Sequence, residues 1–180
     1  MRAAAALPGR GARTALVLWD ADNCRPPLTL PPAQLAARLR ATVAATSTSH
    51  PPTSPLISLF ANPATAAALD LAAWTPAVED VHLVAGSRGA ADQAVTAAAV
   101  AAVQRSADRS THLTLALVSG DAAAFMGLLL WASAQPHVET VVIGSFHGEG
   151  KAGRPDAWRR CGLARAADHA VLWSEVVDGV

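Results

Sequence analysis

The chain is 180 residues long and 52% hydrophobic, with 14 basic residues set against 14 acidic ones and a formal net charge of zero. That length is enough for one compact domain burying roughly 70% of its unfolded surface, and a charged fraction of 16% beside so many apolar residues excludes global disorder. The neutral balance excludes a purely electrostatic nucleic-acid binder, and no apolar run approaches the roughly 20 residues that a bilayer span needs.

Residues Met1 to Arg13 contain no acid and carry Arg2, Arg10 and Arg13 among alanines and glycines. They read as a disordered tail or a short organellar targeting segment. A strand is predicted at Ala15 to Trp19, followed by a helix over Ala33 to Thr46 that Pro31 and Pro32 open. Ser47 to Pro55 is a polar, proline-rich connection to a strand over Leu56 to Ala61. Asn62 and Pro63 form an N-cap and N1 pair for a helix over Ala64 to Trp74. Further strands are predicted at Val81 to Ala85, Leu113 to Val118, Val138 to Ile143 and Ala170 to Trp173. Asp92 and Asp121 fall in the first turns of the helices between them, where a carboxylate complements the helix dipole. Gly144 to Pro155 is a second loop stretch and holds Lys151, the only lysine. Most of the strand runs are continuously apolar, as in strands covered on both faces. The alternation predicts a single α/β domain over residues 14–176, with a mostly parallel central sheet and helices on both faces.

In open parallel sheets ligands sit beyond the carboxyl ends of the strands, and here those ends carry aspartate. The first strand runs into Asp20-Ala21-Asp22-Asn23-Cys24; after the third comes Gly89-Ala90-Ala91-Asp92; the fourth ends in Ser119-Gly120-Asp121. Clustered carboxylates supply the hard oxygen ligands that magnesium or manganese takes, and without a cation they repel one another. Taken singly, Asp92 and Asp121 also fit plain helix-start charges, and Asp20 fits an Asx turn.

Val17 to Pro27 (VLWDADNCRPP) resembles the opening strand and signature of the NYN domains of the PIN-like nuclease superfamily, in the branch typified by limkain b1. Gly89-Ala90-Ala91-Asp92, Val118-Ser119-Gly120-Asp121 and the Leu163 to Asp168 helix are similar to later family motifs and occur in the family's order. The resemblance implies a PIN-like three-layer sandwich whose first and fourth strands are neighbours. It implies Asp20, Asp92 and Asp121 as metal-binding carboxylates, Asn23 orienting the Asp20 loop, and Asp22 standing where relatives often carry glutamate. The implied activity is Mg2+- or Mn2+-dependent hydrolysis of single-stranded RNA, in RNA turnover or processing and post-transcriptional regulation. The implied location is cytoplasmic, with peroxisomal association an alternative, although the Asp178-Gly179-Val180 end is unlike a peroxisomal tripeptide. The chain departs from the pattern at Gln93, where many relatives have a second acid, and at Ala123, where many have an acid or Asn.

Two other readings compete. Asp20-x-Asp22 followed by Ser119 also looks like the motifs of haloacid-dehalogenase-type phosphatases, with Asp20 as nucleophile, Asp22 as general acid and base, and Lys151 as phosphate clamp. A catalytically degenerate RNA-binding or interaction module is the non-enzyme alternative. RNA binding would use loop cations, and Arg25, Arg88, Lys151 and Arg154 are the candidates, with Arg159 and Arg160 reading as solvated helix charges. Trp19, Trp74, Trp131 and Trp173 lie in apolar runs and are expected in the core, which leaves Trp158 as the candidate for base stacking. The six histidines show no zinc-ligand spacing, and His147 is the one in a substrate-side loop. Cys24 and Cys161 are expected to be reduced thiols in a packed interior.

Overall fold

The computed structural model describes residues 13–47, 54–87, 89–144 and 161–179. Six strands, β1 (Arg13–Asp20), β2 (Leu56–Ala61), β3 (Asp80–Leu83), β4 (His112–Val118), β5 (Val138–Gly144) and β6 (His169–Leu172), form one sheet in the order β3-β2-β1-β4-β5-β6. Every pairing is parallel. The helices are α1 (Pro32–Thr46), α2 (Pro63–Ala68), α3 (Leu71–Trp74), α4 (Ala90–Asp108), α5 (Ala122–Ser133), α6 (Gly162–Ala166) and α7 (Trp173–Asp178). None of the helices among the described residues is long and apolar enough to cross a membrane.

Side-chain alternation along β1 explains the layers, because successive residues point to opposite faces of a strand. Val17 and Trp19 pack into a core under α1 and α7 that also takes in Ile57, Leu59 and Trp74, whereas Leu16 and Leu18 belong to a second core with Val95 and Val103 of α4 and Phe125 and Leu129 of α5. The result is an α/β three-layer sandwich. The central strands β1 and β4 are buried for nearly their whole lengths, as their unbroken apolar runs require, while the edge strands β3 and β6 are half-buried or exposed. The strand order reverses direction at β1 and β4, whose register pairs Trp19 with Val118. A crevice therefore opens at the carboxyl ends of these two strands, where the crossovers to α1 and α5 depart in opposite directions.

Several boundaries differ from the sequence reading. Arg13 already belongs to β1, and α7 runs to Asp178. The expected helix over Ala64 to Trp74 is broken: α2 ends before Leu69, and Asp70 takes a left-handed conformation with φ 48° before α3 begins. The break re-phases the chain so that both Leu69 and Trp74 reach the α1-side core, a tertiary gain that outweighs alanine's helix propensity. Asn62 caps α2 as expected, its side chain accepting the Thr65 N–H at 2.9 Å. The last strand stops at Leu172, and Trp173 opens α7 instead of closing β6.

Trp131 corrects the expectation of burial. It is 39% exposed on α5, beside the exposed Met126 and Leu130. That helix is apolar on every side, so pattern alone could not say which side faces the sheet. Trp19 and Trp74 are buried with their rings 5.1 Å apart, edge to face, and Trp173 leans on Trp19 at 5.3 Å. Cys24 is buried, but Cys161 is only half-buried and caps α6, its Sγ accepting the Ala164 N–H at 3.4 Å. Trp158 and His147 lie outside the described residues.

Candidate functional site

The loop after β1 is fixed before any ligand is considered. Ala21 continues the ladder by donating its N–H to the Phe60 carbonyl at 3.0 Å, and the Cys24 N–H closes a turn onto the Asp20 carbonyl at 2.9 Å. From the opposite face of the sheet, the Trp19 indole N–H reaches the Cys24 carbonyl at 2.7 Å. Asp22 is half-buried, and its Oδ1 accepts the Asn62 N–H at 3.1 Å, tying the loop to the start of α2.

Asp20 occupies the last position of β1, in phase with Leu16 and Leu18, and so faces the α4 and α5 layer. It is fully buried. Three groups donate to its carboxylate: the Asn23 N–H to Oδ1 at 3.3 Å, the Asn23 Nδ2 to Oδ2 at 2.7 Å, and the Ser119 hydroxyl to Oδ2 at 2.8 Å. Burial pushes the Asp20 carboxyl above the ordinary carboxylate range, against the lowering effect of those donors, and the charge of Asp22 adds to the rise.

Ser119 at the end of β4 ties the two strands together at the crevice. It is fully buried, donates to Asp20, and accepts the Asp121 N–H on the same oxygen at 3.1 Å. Asp121 is the N-cap of α5 rather than a first-turn residue, with Oδ1 accepting from the Ala123 and Ala124 N–H groups at 2.9 and 3.1 Å. Its Oδ2 has no hydrogen-bond partner among the described residues.

Asp92 arrives from the other side. Gly89 caps α4 with φ 77°, a left-handed conformation in which any other side chain would be strained, and the helix then opens with Asp92 in its first turn. Asp92 is half-buried and makes no hydrogen bond or ion pair among the described residues. Its carboxyl is pushed up first by burial and then by the charges of Asp20, Asp121 and Asp22. Four carboxylates from three strand ends thus lie within electrostatic reach of one another. Cys24, buried beside them, has its thiol pushed up by burial and by the Asp20 charge, which makes it a poor nucleophile.

The donor set suits a divalent cation: hard carboxylate oxygens, repelling one another, with acceptor positions left open on Asp92 and Asp121. Among the described residues no three His, Cys, Asp or Glu side chains converge closely enough to hold an ion by themselves. Magnesium usually keeps several waters and takes one or two carboxylates, so this spacing is compatible with such an ion.

The sequence singled out Asp20, Asp22, Asn23, Asp92 and Asp121, and the fold brings all five to one crevice. Arg25 is exposed on the loop that follows Asn23, while Arg88, Lys151 and Arg154 lie outside the described residues. Gln93 and Ala123 are both exposed. Ser119 did not enter the metal-site reading; its position directly after an apolar strand and two residues before Asp121 was the available signal.

No family model matches the chain, and no curated protein matches it. A crystal structure of a protein of unknown function from Vibrio parahaemolyticus is similar in fold, with a TM-score of 0.50 and 17% identity over 93% of this chain and 96% of that one. At that identity the likeness concerns architecture alone.

Proposed function

We propose that the chain is an NYN-type, PIN-like ribonuclease that hydrolyses phosphodiester bonds of single-stranded RNA with Mg2+ or Mn2+, in RNA turnover and post-transcriptional regulation. The observation that carries this reading is the gathering of Asp20, Asp22, Asp92 and Asp121 at the β1–β4 crevice, with the Asp20 carboxyl raised by burial and the Asp22 charge and the Asp92 carboxyl by burial and the charges of Asp20, Asp121 and Asp22. The ion would be held by one or two of the Asp20, Asp92 and Asp121 carboxylates, with waters completing its shell and Asp22 adding negative charge, and would supply charge neutralisation and Lewis-acid polarisation at the scissile phosphate.

The chain's own residues do the rest. Asn23 and Ser119 hold the Asp20 carboxylate in one orientation. The Ser119 hydroxyl also fixes the Asp121 backbone, so the two acids keep their relation across the β1–β4 seam. The Asp121 Oδ2 and both Asp92 oxygens remain available to orient a water against the phosphate. Arg25, exposed on the loop after Asn23, serves as a phosphate contact; Arg88, Lys151 and Arg154, the other candidates of the sequence, lie outside the described residues.

Manganese-dependent cleavage of single-stranded RNA tests the reading. Asp20→Asn and Asp92→Asn should each lower turnover by on the order of 100-fold or more, at least as much as the loss of a group that orients a metal ligand. Equal cleavage by the wild type and both variants would remove the basis for the assignment. A second reading, an RNA-binding module with a degenerate metal site, is favoured by the spacing of the carboxylates, no three of which close on an ion among the described residues. Salt-sensitive RNA binding without cleavage would select it.

A further inference from the structure

The row of side chains that begins at Asp20 continues across the sheet. Asp20 is in register with Phe60 of β2, and Phe60 with His82 of β3. Paired residues of parallel strands project to the same face, so all three point toward the α4 layer. Phe60 is 2% exposed, buried between its neighbours and the His82 ring. The two rings lie flat on each other, with centroids 4.5 Å apart and planes inclined by 14°. His82 itself is exposed at the edge of the sheet, so the outer face of its ring turns to solvent. Its imidazole makes no hydrogen bond among the described residues, unlike those of His137 and His169, which bond to the Val103 carbonyl and to Glu139. Two strand spacings, about 10 Å, separate its column from that of Asp20.

We propose that His82, backed by Phe60, is a stacking platform for a nucleobase of single-stranded RNA, and that it positions the base of a nucleotide flanking the scissile phosphate. The inference rests on the RNA reading above and adds to it a positioning element outside the carboxylate cluster. Single-stranded RNA is recognised by splaying bases onto flat side chains, and each such stack strengthens binding by roughly 5- to 100-fold. The Phe60 ring beneath removes the rotational freedom that an isolated surface imidazole would lose on binding, so the platform is formed before the base arrives. The contact is indifferent to base identity, since every base has a π-face.

The test is fluorescence anisotropy with a short labelled single-stranded RNA of mixed sequence, in calcium, with one abasic position moved along the oligomer. For the wild type, one or two adjacent abasic positions should weaken binding by 5-fold or more. His82→Leu, which still covers Phe60 but cannot stack, should bind the intact RNA correspondingly less well and be insensitive to those abasic positions. His82→Phe should behave as the wild type, whereas a merely structural cover for Phe60 would be supplied by leucine as well. Equal abasic penalties in the wild type and His82→Leu, or no position-specific penalty in the wild type, would overturn the platform while leaving manganese-dependent cleavage in place. A wild type that neither binds nor cleaves RNA would overturn the RNA reading itself, and the platform with it.

Discussion

At the scale of single residues, one buried serine orients the Asp20 carboxylate. A serine hydroxyl can donate once and accept twice, and Ser119 uses both capacities, toward Asp20 and toward the Asp121 backbone. Replacing it by alanine would leave the Asp20 Oδ2 with the Asn23 amide alone and orphan the Asp121 N–H. Groups that orient metal ligands typically account for 10- to 100-fold in affinity or activity. Ser119→Ala should therefore weaken manganese binding by about that factor in a calorimetric titration, with the fold retained. A full-strength manganese titration in Ser119→Ala would show that Asn23 suffices to orient Asp20. The acids were legible from the sequence because Asp20 and Asp121 stand at strand ends and Asp92 in the first turn of the helix that follows one. The serine was not, because its partner lies 99 residues away and the pairing of β1 with β4 had to be known first.

Among the elements, the hydrophobic periods located every strand to within a few residues, and the errors fall where a short-range pattern meets a long-range contact. The α2–α3 break at Asp70 and the outward side of α5 both depend on which core each helix joins, which alanine-rich sequence does not encode. The closing elements α6 and β6 illustrate a contact of the same kind. Asp168 joins them to β5 by accepting both the N–H and the hydroxyl of fully buried Thr140, at 2.8 and 2.7 Å, while its own N–H returns to the Thr140 oxygen at 3.0 Å. The reciprocal clasp substitutes for strand length, since β6 has four residues. Asp168→Ala leaves the buried Thr140 N–H without its partner, at a cost of about 1–3 kcal/mol. For a domain of this size that is a fall in Tm of about 2–12 °C. Thermal unfolding checks it, and an unchanged Tm would mean that β6 is held by its ladder alone.

For the whole molecule, a formal charge of zero conceals a local convergence of acids at the carboxyl edge of the sheet. The converged acids make stability depend on pH in an unusual direction. Asp20 and Asp92 both hold their protons more tightly in the folded chain than in the unfolded one. From about pH 4, where an unfolded aspartate ionises, up to the raised folded values, the folded state carries more protons. Stability attributable to these groups therefore falls as pH rises through that window and stays lower above it. In chelator the wild type should lose more Tm between about pH 4, where the unfolded carboxyl ionises, and neutral pH than Asp92→Asn, which removes one of the repelling charges. A cation that binds only the folded, ionised cluster reverses the loss by about 2.7 kcal/mol at a hundred times its Kd, a gain of about 5–11 °C. Manganese should accordingly raise the wild-type Tm at pH 7.5, raise it less at pH 5 where protons compete, and raise that of Asp92→Asn less at either pH. Parallel pH profiles for the two proteins in chelator, with no manganese shift in either, would mean that the crevice is not built for a cation.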